Sequence, residues 1–370
     1  MSKNIFLGPI WPHYRKSLID ELIKEKPETY FYGAENYLTN RPLKNNKNIK
    51  NVLKKYSFNF FKHKFFWYKN IFSKINFKRA DKIVIVGFDP HMLHLIVLVL
   101  YLKFFLRKEF YWWSHANYGS QGKLGRVVRY WFYRRGKGVL SYAKEGKNRL
   151  INLGMDLNRI AVLNNCLNYE DYGWMQYNLL EDNDIKKNDD FKIILTGKLN
   201  KEKKIHLLIE AMEVLRKSNQ NIFCTILGDG QEKDNLQKLV QEKKLTSFIN
   251  FTGAKFGKEA HKFLLESDLY IIPGAVGLSI VHGFSFGLPI LTSDNEQIHR
   301  PEIDLLERGI NGDFYIDGSP NSLAAKIIEW KLKLKREGRI KYAKNCIESI
   351  KTKNYLPKGV ANNILKKING

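Results

Sequence analysis

The sequence predicts an α/β protein of two doubly wound domains, each a parallel sheet with helices on both faces. Three observations carry that prediction. At 370 residues the chain has room for two domains of ordinary size. From about residue 190 onward, short apolar runs alternate with amphipathic segments, the pattern of strands buried on both faces and separated by helices. The stretch 167–190, LNYEDYGWMQYNLLEDNDIKKNDD, loses this rhythm and turns acidic. We therefore place one domain at 1–166, a linker at 167–190, a second domain at 191–350, and a C-terminal helix at 351–370 that packs back on the first domain.

In the first half NIFLGPI reads as a strand and SLIDELIKE as a helix. DKIVIVGF is a strand, and Asp89-Pro90 supply the cap and first-turn residue of the apolar helix that follows. EFYWWSHA is a strand, GRVVRYWFYRRGKG a basic helix, and GVLSYAKEGKNRLINLG a strand, a helix and a glycine stop. In the second half FKIILTG opens the sheet, and KKIHLLIEAMEVLRK places Ile205, Leu208, Met212 and Leu215 on one helical face. NIFCTILG, SFINFTG, DLYIIPG, PILTSD and GDFYI continue the strands. The helices between and after them are QEKDNLQKLVQEKK, KEAHKFLLES, the segment through VHGFSFG, PEIDLLE and SLAAKIIEWKLKLK. Ligands of such sheets lie beyond the carboxyl ends of the strands.

The composition, 44% apolar and 27% charged, excludes a disordered chain. The net charge of +25 points to an anionic partner: nucleic acid, an anionic membrane surface or a phosphorylated substrate. A codon-biased, lysine-rich proteome is the plain alternative. The distribution weighs against it, because residues 1–180 carry 31 basic and 12 acidic side chains, most of the surplus. Cys166, Cys224 and Cys346 are odd in number and far apart, which argues against a disulfide framework or a zinc site and for a reducing compartment. MSKNIFLGPIWPHYR has no apolar core of signal-peptide length. The longest apolar run, Met92 to Leu102, falls short of the ~20 residues that cross a bilayer. The expected place is the cytoplasm, peripheral to the inner face of the membrane.

Several motifs fail on inspection. NYGSQGKL resembles a phosphate-binding loop but has Asn117 and Leu124 where glycine and a hydroxyl are needed. Gly228-Asp229-Gly230 lacks the third glycine of a dinucleotide fingerprint, Lys233 standing there, and a tight turn explains it as well. Asp182-Asn183-Asp184 matches a metal-binding triplet but sits in the polar linker, where a solvated charge run is the simpler account. His91 and His94 lack the glutamate and spacing of a zinc helix and suit packing or capping. Ser279, in GLSIV, is not in a nucleophile elbow.

What remains is an ordered set in the second half: GKLNKEKKIHLLIEA, ILGDGQEKDNLQKL, NFTGAKF, DLYIIPG, GLSIVHGFSFGLPILTSD and NGDFYI. Together they resemble the donor domain of nucleotide-sugar glycosyltransferases of the GT-B architecture, two Rossmann-like domains facing a cleft. The resemblance is closest to retaining glycosyltransferase family four, the glycosyl transferases group 1. It covers residues 190–330 well and the first half by general layout. It implies a nucleotide-sugar donor as substrate, no cofactor, no metal, and a glycan acceptor. It also implies that Lys198 and Lys203 hold the diphosphate as catalytic cations. Both are lysine where arginine is commoner at the first position, which keeps charge but loses the bidentate fork; solvated lysines at a helix start are the alternative. Gly277, Leu278 and Ser279 are expected to open a helix toward the diphosphate, and Gly228, Asp229 and Gly230 to border the nucleoside.

The pattern departs from the family at two places. Counting back from Gly287-Leu288-Pro289, the positions of two usual glutamates hold Gly274 and His282. His282 keeps the capacity to bond a ribose hydroxyl, or else simply packs. In the first half the resemblance places Gly8 and His115 against the donor, His115 as a catalytic contact or else a buried structural histidine. Arg15 is a phosphate or acceptor candidate, or surface charge. Glu302, in IHRPEI, is a candidate donor contact replacing the lost carboxylate, with His299 nearby.

Residues 36–80 contain twelve basic side chains and no acid, with ten aromatics between Tyr56 and Phe77. That mixture suits an anionic membrane surface, single-stranded nucleic acid less well, or an ordinary helix packing aromatics on the sheet. The expected activity is sugar transfer, with retention, to a surface glycan on a lipid carrier. The rival is a catalytically degenerate binding protein held to membrane or nucleic acid by its basic half.

Overall fold

The computed structural model describes residues 3–35, 43, 46–60, 63–87, 91–116, 123–180 and 190–370. Asp89-Pro90, Asp182-Asn183-Asp184 and the segment 117–122 of the phosphate-loop look-alike lie outside the described residues. The chain divides into two units: Met1–Asn168 with Pro357–Gly370, and Tyr169–Leu356.

The first unit is built on strands β1 (Asn4–Leu7), β2 (Thr29–Ala34), β3 (Ile49–Leu53), β6 (Lys82–Val86), β7 (Phe110–Ser114), β8 (Gly138–Ser141) and β9 (Ile160–Val162). All pair in parallel, in the order β3-β2-β1-β6-β7-β8-β9. The continuous apolar runs are buried on both faces as expected: every residue of β1 and β7 is buried. One face carries an aromatic cluster of Phe6, Trp11, Phe31, Tyr111 and Trp113. Phe6 and Phe31 stack 5.0 Å apart, with Trp11 edge-on to Phe31 at 4.9 Å. The helix Pro357–Asn369 completes this face. Its Val360, Ala361, Ile364, Leu365 and Ile368 share the cluster with Leu18, Ile19 and Leu22 of the helix Lys16–Glu25.

The aromatic-basic stretch after β3 forms neither a helix nor a continuation of the sheet. Lys55–Phe60 (β4) and His63–Tyr68 (β5) make an antiparallel hairpin. Tyr56 and Phe58, two apart on β4, share an exposed face, 49% and 48% accessible, while Tyr68 of β5 is buried. A period of two hidden among many aromatics is easily mistaken for an aromatic helix. His94 is a packing residue: it is buried 4.4 Å from the Tyr68 ring, and burial pushes its imidazole down to about 4.

The second unit contains β10 (Phe191–Thr196), β11 (Ile222–Leu227), β12 (Ile249–Gly253), β13 (Leu269–Ile272), β14 (Ile290–Ser293) and β15 (Gly312–Tyr315). They too pair in parallel, in the order β12-β11-β10-β13-β14-β15. This is the doubly wound order whose direction reverses between the first and fourth strands, β10 and β13. The helix Ile205–Lys217 buries Ile205, Leu208, Met212 and Leu215 in a core shared with Trp330 and Tyr342. The segment at PEIDLLE is a short 3-10 turn, Pro301–Leu305, because proline opens it and only one turn follows.

Candidate functional site

The reversal between β10 and β13 places the loops that follow them side by side. After β10 the chain runs through Gly197 and Lys198 into a 3-10 turn, Lys201–Lys203. After β13 it runs through Pro273 and Gly274 to the helix Ser279–Ser285. The two loops touch at backbone distance. A Cβ on Gly274 would lie 2.1 Å from the Glu202 carbonyl oxygen and 2.8 Å from the Lys203 Cα. The Glu202–Lys203 main chain therefore fills the space beside Gly274, and no side chain fits there.

That packing aims Lys203. Its Nζ donates to the Ala275 carbonyl at 2.8 Å, and its ammonium is held below the usual lysine range, chiefly by burial, with Arg300 adding repulsion against the pull of Glu202. The following residue, Lys204, adopts a left-handed backbone (φ 47°) and is committed elsewhere, both Asp317 carboxylate oxygens accepting from its Nζ at 2.7 and 2.8 Å. Arg300 was not anticipated from the sequence. It is exposed, its N–H donates to the Val276 carbonyl at 2.9 Å, and its Cγ lies 3.7 Å from where a Gly277 Cβ would stand. His299 clasps the same loop: its Nε2–H donates to the Ser293 carbonyl at 2.8 Å and its Nδ1 accepts the Val276 N–H at 3.2 Å. Two cations thus flank the Gly277 turn. Ser279 Oγ, beside them in sequence, is buried without a hydrogen-bond partner among the described residues.

Next to this pair is a cavity of about 370 Å³ beyond the carboxyl ends of β10, β11 and β12. Thr196, Gly197 and Lys198 line one side, Leu227, Gly228 and Asp229 another, and Ala254, Lys255 and Phe256 a third, with Ala260 and His282 closing it. The volume is in the range of small-molecule sites. Gly228 and Gly230 act through their backbones. A Cβ would stand 1.8 Å from the Gly197 oxygen at the first and 2.3 Å from the Leu199 oxygen at the second. Asp229 is exposed, bonded to the Gly230 N–H at 2.8 Å and to Lys233 Nζ at 3.2 Å, and the Lys233 contact holds its carboxyl below the ordinary value.

His282 is half-buried at the cavity wall, edge-on to Phe286 at 5.4 Å and 6.4 Å from His261. Burial, reinforced by His261, pushes it down to about 4, so the ring is neutral at physiological pH. A neutral imidazole offers one donor and one acceptor, which suits a hydroxyl better than a phosphate.

Lys198, Gly228, Asp229 and His282 therefore meet at one cavity, and Lys203 and Gly277 lie at the loop junction beside it. Leu278 precedes the helix and accepts the His282 N–H at 3.0 Å. Glu302 does not line the cavity; it is buried near Tyr355. Phe256, 82% exposed at the rim, has no pattern around it in NFTGAKF that would mark it in the sequence. Among the described residues no group of three or more His, Cys, Asp or Glu side chains is placed to hold a metal ion.

In the first unit Gly8 follows β1, and its missing side chain makes room for the Trp11 ring, 3.1 Å from where a Cβ would be. His115 follows β7 and is exposed rather than buried, stacked 4.1 Å above Tyr142. Arg15 bonds the Tyr142 hydroxyl and lies 4.7 Å over the Trp113 ring. Tyr142, unnoticed in the sequence, joins Arg15 and His115 into one group.

Comparison with known proteins agrees with this geometry. Residues 180–351 match the family model described as glycosyl transferases group 1. The alpha-monoglucosyldiacylglycerol synthase of Acholeplasma laidlawii is 31% identical over 132 residues, 35% of this chain and 32% of that protein. The O-antigen biosynthesis glycosyltransferase WclY of Escherichia coli is 31% identical over 134 residues, 32% of this chain and 36% of that protein. The matched region thus spans about a third of these relatives' length. In structure the chain is similar to Anabaena Alr3699/HepE, solved in complex with UDP, with a TM-score of 0.71 at 16% identity over 99% of both chains. With two parallel Rossmann-like sheets and a matching second unit, the chain is a GT-B-fold protein related to the glycosyl transferases group 1 family.

Proposed function

We propose that the protein is a glycosyltransferase that takes a sugar from a nucleotide-sugar and passes it, with retention, to a surface glycan carried on a lipid. The observation that supports the donor half is a cavity lined by Lys198 beyond the carboxyl ends of β10, β11 and β12, with Lys203 and Arg300 on the neighbouring loops at the strand-order reversal. As the nucleoside diphosphate leaves, negative charge gathers on its phosphates and positive charge on the sugar. Side-chain cations fixed in advance stabilise that state without a metal. The nucleoside occupies the cavity, with the neutral His282 at a ribose hydroxyl, and the diphosphate lies toward Lys203 and Arg300. The leaving phosphate takes the acceptor proton while Lys198 and Lys203 hold it.

The acceptor half is supported by what the relatives are named for, a glucosyldiacylglycerol synthase and an O-antigen glycosyltransferase. The basic surplus of residues 1–180 also suits the anionic cytoplasmic face of a membrane. The replacement of two carboxylates by Gly274 and His282 favours a second reading, a GT-B protein that binds nucleotide without turning it over.

Thermal melting with saturating UDP, GDP or TDP tests the donor site. UDP comes first, because the Anabaena protein was solved with it. A nucleotide at a hundredfold over its dissociation constant stabilises by about 2.7 kcal/mol. No rise in the midpoint with any of the three overturns the donor site. A rise without hydrolysis or transfer from a panel of nucleotide-sugars leaves the binding protein.

A further inference from the structure

We propose that one edge of the first unit is a bilayer-docking site: an exposed apolar helix tip beside a cation-lined pocket that takes the phosphate of an anionic phospholipid. The helix Leu93–Leu100 continues through a wider π-turn, Tyr101–Phe105, in which the Leu106 N–H reaches back to the Tyr101 carbonyl. Its inner face packs as expected, with Leu95, Leu98, Val99 and Leu102 in the core. Its outer face is also apolar, which a helix bathed only in water does not need. Val97, Leu100 and Phe104 recur at helical spacing and are 42%, 37% and 65% exposed, and Phe105 is 80% exposed. Phe72, itself 39% exposed, meets Tyr101 edge-on at 5.4 Å, and Tyr101 lies 6.2 Å from Phe105. Large apolar side chains gathered on one surface mark a contact with something apolar.

The charge beside them names the partner. A pocket of about 520 Å³ adjoins Phe104 and is lined by Lys103, Arg134, Arg135, Lys137 and Arg159, with Glu109 the one carboxylate in its wall. Glu109 is taken by Lys137 at 3.1 Å. Arg159 is fixed by the Arg134 and Gly136 carbonyls, and Arg135 lies 4.0 Å over the Trp131 ring, so two guanidinium groups are held in place. Cations converging on one concavity, with phenylalanines at its rim, fit a phosphate at the level where headgroup meets acyl chain. A nucleic acid strand would call for cations spread along a track.

The pocket lies at the amino ends of β7, β8 and β9, since Glu109, Lys137 and Arg159 immediately precede those strands, whereas Gly8 and His115 follow carboxyl ends. Docked this way, the unit holds His115 about 15 Å from the bilayer, the rise of a strand of this length. That suits an acceptor whose growing end stands off the membrane. The inference rests on the membrane part of the reading above and specifies its surface, which is not the hairpin.

The test is co-sedimentation of the full chain with vesicles of neutral phosphatidylcholine, or of the same lipid with phosphatidylglycerol added, and no nucleotide-sugar present. Failure of the donor site therefore leaves the result untouched. The chain is expected to bind the anionic vesicles more tightly. Lys103→Ala with Arg134→Ala should weaken that binding about twenty-five-fold, two cations each contributing a factor of about five. Phe104→Ser with Phe105→Ser should weaken it as well, with the melting temperature unchanged because all four side chains are exposed. Tyr56→Ser with Phe58→Ser on the hairpin should leave it intact. Equal binding to both vesicles, loss through the hairpin pair alone, or retention by both tip and pocket variants overturns the proposal. So does binding of a labelled single-stranded oligonucleotide in place of vesicles.

Discussion

Gly274 is where the two loops beside the donor site meet main chain to main chain. Replacing it with alanine adds one methyl group, and that carbon would stand 2.1 Å from the Glu202 oxygen and 2.8 Å from the Lys203 Cα. Both obstacles are main chain, which gives way only by moving the loop, and Gly274 is itself buried. Overpacking of this kind costs about 1–3 kcal/mol. At roughly 2–4 °C per kcal/mol for a unit of this size, the melting midpoint should fall by roughly 2–12 °C. The displaced loop carries Lys203, so the stabilisation by UDP should shrink in the same experiment. Gly274→Glu, which restores the family's carboxylate, should do worse on both counts and should not raise turnover. Paired melts with and without UDP decide it. If Gly274→Ala melts with the wild type, or Gly274→Glu gains transfer activity without loss of stability, the close approach of the two loops is wrong.

Three further outcomes follow from the same geometry. Lys203→Ala should lower turnover of a verified nucleotide-sugar by about 10²-fold or more, the scale of a lost transition-state donor, and unchanged steady-state rates would remove its role. Arg300→Ala should weaken the nucleoside diphosphate but not the bare nucleoside; calorimetry showing equal losses for the two would place Arg300 away from the phosphates. His282 sits at about 4 when folded against 6.5 when unfolded. The unfolded chain thus binds the extra proton first, and the contribution is whole above about pH 6.5 and is lost as the pH falls toward 4, by about 3 kcal/mol at most. Melting from pH 7 to 4.5 should show a shallower decline in His282→Gln than in the wild type, and identical slopes would count against a buried neutral ring.

Much of the second unit was legible because its signals are redundant. A strand such as FKIILT is apolar throughout, and the helix after it repeats its apolar positions at the right period, so local pattern and final burial agree. The first unit hid its hairpin because aromatic residues occupy both the exposed and the covered faces of β4 and β5, which erases the alternation. At the site, Lys198, Lys203 and His282 were indicated by the resemblance to the family, carried by the motifs around them. Arg300 was not, because its place depends on a clasp made by His299 and the Val276 backbone, a contact between segments 23 residues apart. Phe256 and Tyr142 escaped for a similar reason: one becomes notable only by its exposure at a cavity rim, the other only by bridging Arg15 and His115.

Gly274 and His282 bear on the charge of the site in the same direction. With Gly274 the loops close to main-chain contact, and Arg300 stands near enough to Lys203 to disfavour its charge. Two cations so placed repel, and Lys203 is already disfavoured in its charged form by burial. A diphosphate relieves both penalties, whereas a carboxylate at 274 would partly neutralise the pair before any donor arrived. His282, held neutral, likewise adds no negative charge near the phosphates. Lys203 and Arg300 give this part of the site positive charge, so the dependence of UDP affinity on salt should be steep and should flatten in Arg300→Ala, since each lost cation removes one screened attraction. An affinity indifferent to ionic strength would mean that the phosphates lie elsewhere, however well the cavity holds the nucleoside.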